Sequence, residues 1–409
     1  MNRKLEALQT PLGPRSAKVI LLGGGELGKE LAIEAQRLGF EVVVVDRYHM
    51  APAMHVAHRY YVVDMMDYDA LIKIVHREDP RAVIPEIEAI NTNALKDLEG
   101  EGYNIVPNAD SVFISMNRIE LRRFASGKLG LPTTRYAFAS NEDEIYEACE
   151  GVGYPCLIKP EMSSSGHGHI RIMEPKPKRD IINVYRESLR HARGGSNRVI
   201  VEEFEELETE FTVIAYRWIS DKGVRLGVAE PIEHWRHGQY HYIESWQPSE
   251  RDPETLKRCK DIGLKVAEGL GGLGIYATEL LLTKDGRLLF SEVAPRPHDT
   301  GMVTLLSQDI SEFSIHIRAS TGLPVPEIKV LTPAATYAIY ANVENSWYPS
   351  LEGIYNAMEV RGVDVRWFGK PLTYRGRRMA VVLARGESVR EAREKAGEAA
   401  KKLKVVPQR

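Results

Sequence analysis

At 409 residues the chain exceeds what one hydrophobic core usually fills, and ~100 to 200 residues per domain predicts two or three domains. The 43% hydrophobic and 27% charged fractions are those of an ordinary soluble globular protein and exclude extended disorder or a fibrous repeat. With 54 Lys plus Arg against 57 Asp plus Glu, the net charge of -3 offers no basic field to nucleic acid, and no apolar run approaches the ~20 residues that cross a bilayer.

From Lys18 to about Arg123, short apolar runs alternate with amphipathic stretches: KVILLGGG, a helical pattern to Leu38, EVVVVD, a second helix near Tyr68 to His76, then AVIPEIEA. That rhythm predicts a doubly wound parallel sheet wrapped by helices. Gly23, Gly25 and Gly28 satisfy GxGxxG between a strand and a helix, and Asp46 ends the next strand, as a dinucleotide site requires. Bare amides at a helix start suit any anion, however, and the same glycines also serve tight strand-helix packing. Glu26 inside the turn brings negative charge to a pyrophosphate but could accept hydrogen bonds from hydroxyls or an amine. Glu26 therefore tilts the reading of the turn away from NAD.

A helix ending near Leu129 precedes Leu131-Pro132, after which RYAFAS, PCLIKP, HIRIM, RVIVEEF and ETEFTVIAYRWIS read as strands of an α+β unit. The three cysteines, Cys149, Cys156 and Cys259, lack CxxC spacing and are too few to staple this length. With no signal-peptide core at the first residues, the expected address is the cytoplasm. Lys159 closes PCLIKP, and the loop from Met162 to Gly168 follows with Ser163, Ser164, Ser165, Gly166 and His167. A cation at a strand end beside a small, hydroxyl-bearing loop suits triphosphate oxygens, and an ordinary flexible loop is the bland alternative. RVIVEEF could lend its backbone to an adenine edge or be an edge strand with solvated acids.

Asp285-Gly286 predicts a two-residue hairpin turn between TELLLTK and RLLFSEV. Counting outward pairs Lys284 with Arg287 and sets Glu279 opposite Glu292. Opposed like charges destabilise a sheet unless a cation lies between them, and magnesium favours a few carboxylates with phosphate and water oxygens. Next comes Ala294 to Gly301, where prolines stiffen a turn bearing Arg296, His298 and Asp299, a suitable place for transition-state contacts. Arg296 and Asp299 are the expected catalytic residues; His298 receives no role. Pro324 and Pro326 read as a linker to a smaller segment of short strands and one charged helix near Val389 to Lys402. In it, Lys370, Arg375, Arg377 and Arg378 surround a turn that could hold a phosphate monoester or be a solvated hairpin face.

Taken in order, GGGELG, PEIEAI, MNR, KPEMSSSG, VIVE, TEL, SEVAPRPHDTGMVT and FGKP resemble the formate-dependent phosphoribosylglycinamide formyltransferases of the ATP-grasp superfamily, over nearly the whole chain. The resemblance implies a pre-ATP-grasp domain at 1–125, an ATP-grasp domain at 126–325, a small β-rich C-terminal domain at 326–409, and a homodimer. It implies that ATP is contacted by Arg118, Lys159, Ser164, Ser165, Gly166, His167, Gly168, His169, Glu202, Glu203, Phe204, Glu205 and Glu210, with Mg2+ on Glu279 and Glu292. It further implies that Glu26, Leu27, Glu86, Asp299, Lys370, Arg377 and Arg378 surround glycinamide ribonucleotide, and that formate reacts through formyl phosphate. His167 departs from the lysine of the family's SSSGKG loop, which makes phosphate affinity more sensitive to pH, and the residues after Glu202 depart from its glycine-valine pattern. A carboxylating sister ligase, an NAD-dependent oxidoreductase and a non-catalytic nucleotide sensor are the competing readings.

Overall fold

The computed structural model describes residues 4–87, 89–163, 167–192, 195–237 and 241–408. Strands β1 (Lys18–Leu22), β2 (Glu41–Asp46), β3 (Arg59–Val62) and β4 (Ala82–Pro85) form a parallel sheet in the order β3-β2-β1-β4. Because helices cover both faces, β2 and β4 are buried along their whole length, which is why they read as continuous apolar runs. The edge strand β3 alternates half-buried and exposed residues, and that short polar alternation gives it little signature in sequence. The helices Glu26–Arg37 and Tyr68–Glu78 lie where the apolar spacing puts them, the second capped by Asp67 accepting from the Ala70 amide.

A second, antiparallel sheet contains β5 (Tyr136–Ala139), β6 (Cys156–Pro160), β7 (Ile170–Ile172) and β8 (Val199–Glu203), in the order β5-β8-β6-β7. Helices Glu142–Val152 and Lys178–Leu189 pack on it through Ile145, Ile181 and Tyr185. The largest sheet is built from β9 (Leu207–Ser220), β10 (Gly223–Val228), β11 (Ile232–His237), β12 (His241–Gln247), β13 (Gly274–Thr283), β14 (Leu288–Ala294), β15 (Ala334–Tyr340), β16 (Val363–Trp367) and β17 (Arg378–Arg385). Its order is β14-β13-β9-β11-β12-β15-β17-β16, with β10 on β9, so strands beyond Pro326 extend the same sheet as those before it.

The hairpin between β13 and β14 corrects the two-residue turn expected at Asp285-Gly286. The Thr283 amide donates to Arg287 O at 3.0 Å, and Gly286 has φ +83°, so the loop holds three residues closed by a left-handed glycine. That displaces the register by one, giving Leu282 opposite Leu288. A bulge next to Glu279 takes up Ser291 and restores the pairing of Glu279 with Glu292. The expected opposition is therefore observed, reached by two offsets that cancel.

One core joins the three regions: Leu27 and Leu31 of helix Glu26–Arg37 pack with Met302, Phe313 and Ile317 from the middle of the chain and with Phe368 and Val381 from its last third. Burying apolar area at this junction fixes the orientation of the polar groups around it. The ends of β1, β4, β14 and β17 consequently converge on one region, with Glu279 from the middle of β13.

Candidate active site

The glycine turn resolves its own ambiguity. Asp46 accepts from the Gly24 amide at 2.6 Å and from the Arg47 amide at 2.6 Å, so the acid expected to hold a ribose in a dinucleotide fold instead fastens the turn. Gly23 has φ +126° and its Cα lies against the Glu86 side chain, where a Cβ would overlap the carboxylate; at Gly28 a Cβ would overlap the carbonyl of Gly23. These glycines serve close packing. Glu26, opening the helix, takes Lys370 at 2.8 Å and Arg378 at 2.8 Å, bringing the distant basic segment onto the turn. Burial alone would raise the Glu26 carboxyl, but those two cations hold it at about 2.

Arg378 also pairs with Asp299, so one guanidinium ties a carboxylate from the first sheet's helix to another on the 295–301 turn. Burial opposes the Asp299 charge, yet Arg378 and His298 keep its carboxyl far below the usual range. Glu26, Leu27, Glu86, Asp299 and Arg378 line a cavity of about 340 Å³ together with Arg118, Arg296 and Glu279. Lys370 supports it from behind through Glu26. Arg377 does not line it: its guanidinium donates to Leu372 O and stacks 5.3 Å from the Tyr374 ring. Arg375 lies outside, 3.4 Å from Glu344.

A second cavity of about 580 Å³ lies between the two antiparallel sheets, lined by Arg118, Lys159, His169, the 202–206 strand end, Glu210, Leu281 and Glu292. Glu202 is buried between Arg122, at 2.7 Å, and Lys159, at 2.5 Å; burial opposes its charge, but the two cations hold it well below the usual carboxylate range. Arg118 donates to Pro160 O and Ser163 Oγ, both at 3.0 Å. Burial, with Lys159 and Arg118 adding to it, pushes the His169 imidazole down to about 2, so it is neutral. The amides of Glu203 and Phe204 are committed to Arg135 O and Pro155 O, and the Phe204 ring carries Arg171 at 3.7 Å. Glu203 and Glu205 pair outward with Arg135 and Arg287. His167 is exposed, Gly168 O accepts from Ser188 Oγ at 2.7 Å, and Ser164, Ser165 and Gly166 lie outside the described residues.

The two cavities share Arg118, Arg236, Glu279 and Glu292. Arg236, which the sequence reading passes over, donates to Glu279 at 2.7 Å and to Glu210 at 2.9 Å. His298 reaches Glu279 at 2.6 Å from the other side, while its Nδ1 meets Thr300 Oγ1 at 2.8 Å. Burial would discharge His298, but Asp299 and Glu279 outweigh that and raise its pKa. Glu292 is exposed to the cavities. Oxygen donors from Glu279 and Glu292 fit a hard divalent cation. Glu210, His234 and Glu279 also bring donor atoms within 4.8 Å of one another, but His234 contributes an imidazole, which suits magnesium less.

Models of three families match in sequence order: the ribonucleotide synthetase preATP-grasp domain over 16–116, the ATP-grasp domain over 125–313, and "PurT, C-terminal" over 334–403. A formate-dependent phosphoribosylglycinamide formyltransferase from Ignicoccus hospitalis is 58% identical over 402 residues, covering 98% of this chain and 99% of the relative. Among solved structures, N5-carboxyaminoimidazole ribonucleotide synthetase from Thermotoga maritima superimposes with TM-score 0.81 at 28% identity, covering 96% of this chain and all of the other. Glycinamide-RNase-transformylase T from Mycobacterium tuberculosis does so with TM-score 0.78 at 30% identity, covering 94% and 99%. Fold alone does not separate the formylating from the carboxylating enzymes, whereas sequence identity along the full length does. The chain belongs to the formate-dependent phosphoribosylglycinamide formyltransferases, within the ATP-grasp superfamily.

Proposed function

We infer that this chain uses ATP to join formate to the amino group of glycinamide ribonucleotide, making the formylated amide of purine synthesis. The observation that carries the assignment of residues is the shared wall of the two cavities. Lys159, Arg118 and the Glu202 cluster lie on the 580 Å³ side, suited to a nucleotide, and Glu26, Glu86, Asp299 and Arg378 on the 340 Å³ side, suited to an amine and its ribose phosphate. Formate attacking the γ-phosphate gives formyl phosphate and ADP; the amine then attacks the formyl carbon and releases phosphate. An intermediate made at the shared wall reaches the amine without passing through bulk water, which would hydrolyse it.

Glu279 and Glu292 are the residues we assign to magnesium, which would neutralise the nucleotide phosphates. Arg118 and Lys159 orient the triphosphate, while Arg296 faces the transferring group from the ribonucleotide side. Asp299, kept ionised, accepts a hydrogen bond from the attacking amine and orients it, while the departing phosphate can carry away its proton. Arg377, with one N–H on Leu372 O and within electrostatic reach of Lys370, is assigned with it to the ribonucleotide. The cytoplasm is the proposed location, supported by three buried free cysteines, and no helix among the described residues is long and apolar enough to cross a membrane. A homodimer is proposed from the resemblance, and light scattering of the purified chain tests it.

ADP release with Mg-ATP, measured with glycinamide ribonucleotide and formate added singly and together, tests the reaction. Stimulation only by the pair, with formylated product, is the expected result. Stimulation by bicarbonate and an aminoimidazole ribonucleotide would instead assign the chain to the carboxylating reaction.

A further inference from the structure

Behind the 295–301 turn lies a carboxyl that the reaction does not use directly. Glu312 opens the helix Glu312–Thr321, capped by Ser311, and is fully buried. One carboxyl oxygen accepts from the His298 amide at 3.0 Å, and the Glu312 amide itself donates to Thr304 Oγ1 at 3.0 Å. Gly301 has no Cβ where one would overlap the Glu312 carboxyl, so turn and acid are packed directly against each other. The acid thus meets the turn at its middle and at its end, and its own amide ties it to Thr304 just beyond.

We propose that Glu312 is a positioning residue for formyl transfer: it fixes the backbone at His298, and through it the placing of Asp299 and of the imidazole that meets Glu279. The inference rests on the formylation reading above. Its second oxygen meets no hydrogen-bond partner among the described residues, a poor setting for an anion. The charged and titratable groups facing it are His298, Asp299 and Arg296. Burial outweighs the His298 amide, the His298 charge and Arg296, and Asp299 adds to it, so the carboxyl is pushed up to about 8. The neutral acid therefore holds the turn at neutral pH. Loss of its proton keeps the bond to the His298 amide but buries a second negative charge beside Asp299, which pushes that side chain from its place.

The test is the pH dependence of kcat, with KM for ATP followed in parallel, in the wild type and in Glu312→Gln. A group titrating near 8 is about 10% protonated at pH 9, so wild-type kcat should fall roughly tenfold between about pH 7 and pH 9. Within the glutamine variant, which cannot ionise there, the same ratio should stay below about twofold, with KM for ATP following the wild-type course because the nucleotide cleft lies on the other side of the shared wall. A glutamine variant whose alkaline fall superimposes on that of the wild type would overturn the proposal. Should that variant fail to fold, infrared titration of the wild type decides: the band of a protonated carboxyl should disappear between about pH 7 and pH 9, and no such band at pH 7 refutes it. If wild-type enzyme does not formylate at all, the function reading fails, while the infrared band still reports whether Glu312 is neutral.

Discussion

Arg236→Met removes the cation that holds Glu279 and Glu210 together. Both carboxylates would stay buried with His298 and His234 as their remaining close partners, at 2.6 and 3.3 Å. Removing one partner of a buried ion pair costs roughly 3 to 5 kcal/mol. Because 21% of the Arg236 side chain reaches the cavity and both histidines remain, the lower figure of about 3 kcal/mol applies. Urea unfolding in EDTA, followed by the fluorescence of the five tryptophans, should show the deficit. Magnesium should then offset much of it, since a ligand at a hundred times its Kd stabilises by about 2.7 kcal/mol. The sign with pH follows from the carboxyls. Glu279 and Glu210 are held below their ordinary values once Arg236 and its neighbours have overcome burial, so they stabilise the wild type above about pH 4.5 and cease to as pH falls through their folded values. The gap between variant and wild type should therefore hold from pH 7.5 down to about pH 4.5 and narrow below it. Equal urea midpoints in EDTA, or a magnesium effect no larger in the variant than in the wild type, would refute the reasoning.

Glu202→Gln takes from Lys159 and Arg122 the carboxylate they share, and KM for ATP should rise about tenfold, or ~1.4 kcal/mol, in ADP-release kinetics. Glu26→Gln should raise KM for glycinamide ribonucleotide by a similar factor while leaving KM for ATP in place. The stability Glu26 contributes is present above about pH 4.5 and lost as pH falls towards about 2, so the two proteins should converge in acid denaturation. Chelation should abolish ADP release and excess magnesium restore it. Glu292→Gln should raise the magnesium concentration needed for half-maximal rate, yet shift stability by no more than about 0.5 kcal/mol, because Glu292 is exposed.

Local pattern made much of this architecture legible. The helix Val389–Lys402 falls where its charges and small residues place it, and β1, β2 and β4 coincide with their apolar runs. What local pattern cannot supply is which strand lies beside which. Arg236 and His234 alternate onto one face of β11, a signal present in IEHWRH, but their significance comes from β9 pairing with β11 and bringing Glu210 opposite His234. Asp46 misleads for the same reason: its place at a strand end suits a ribose contact, and only the backbone of Gly24 shows where its oxygen is spent. Glu312 reads as an ordinary acid in a helix's first turn, because burial by a turn eleven or more residues upstream leaves no mark on its neighbours in sequence.

The formylating and carboxylating structures superimpose on this chain almost equally, so selection between their substrates cannot reside in the arrangement of sheets. We propose that it resides in side chains facing the smaller cavity, where the three regions of the chain each supply charge: Glu26 from the first, Arg236 and Asp299 from the second, Arg378 from the third. Arg378 is the junction, since its contacts with Glu26 and Asp299 neutralise two acids brought together from distant parts of the chain.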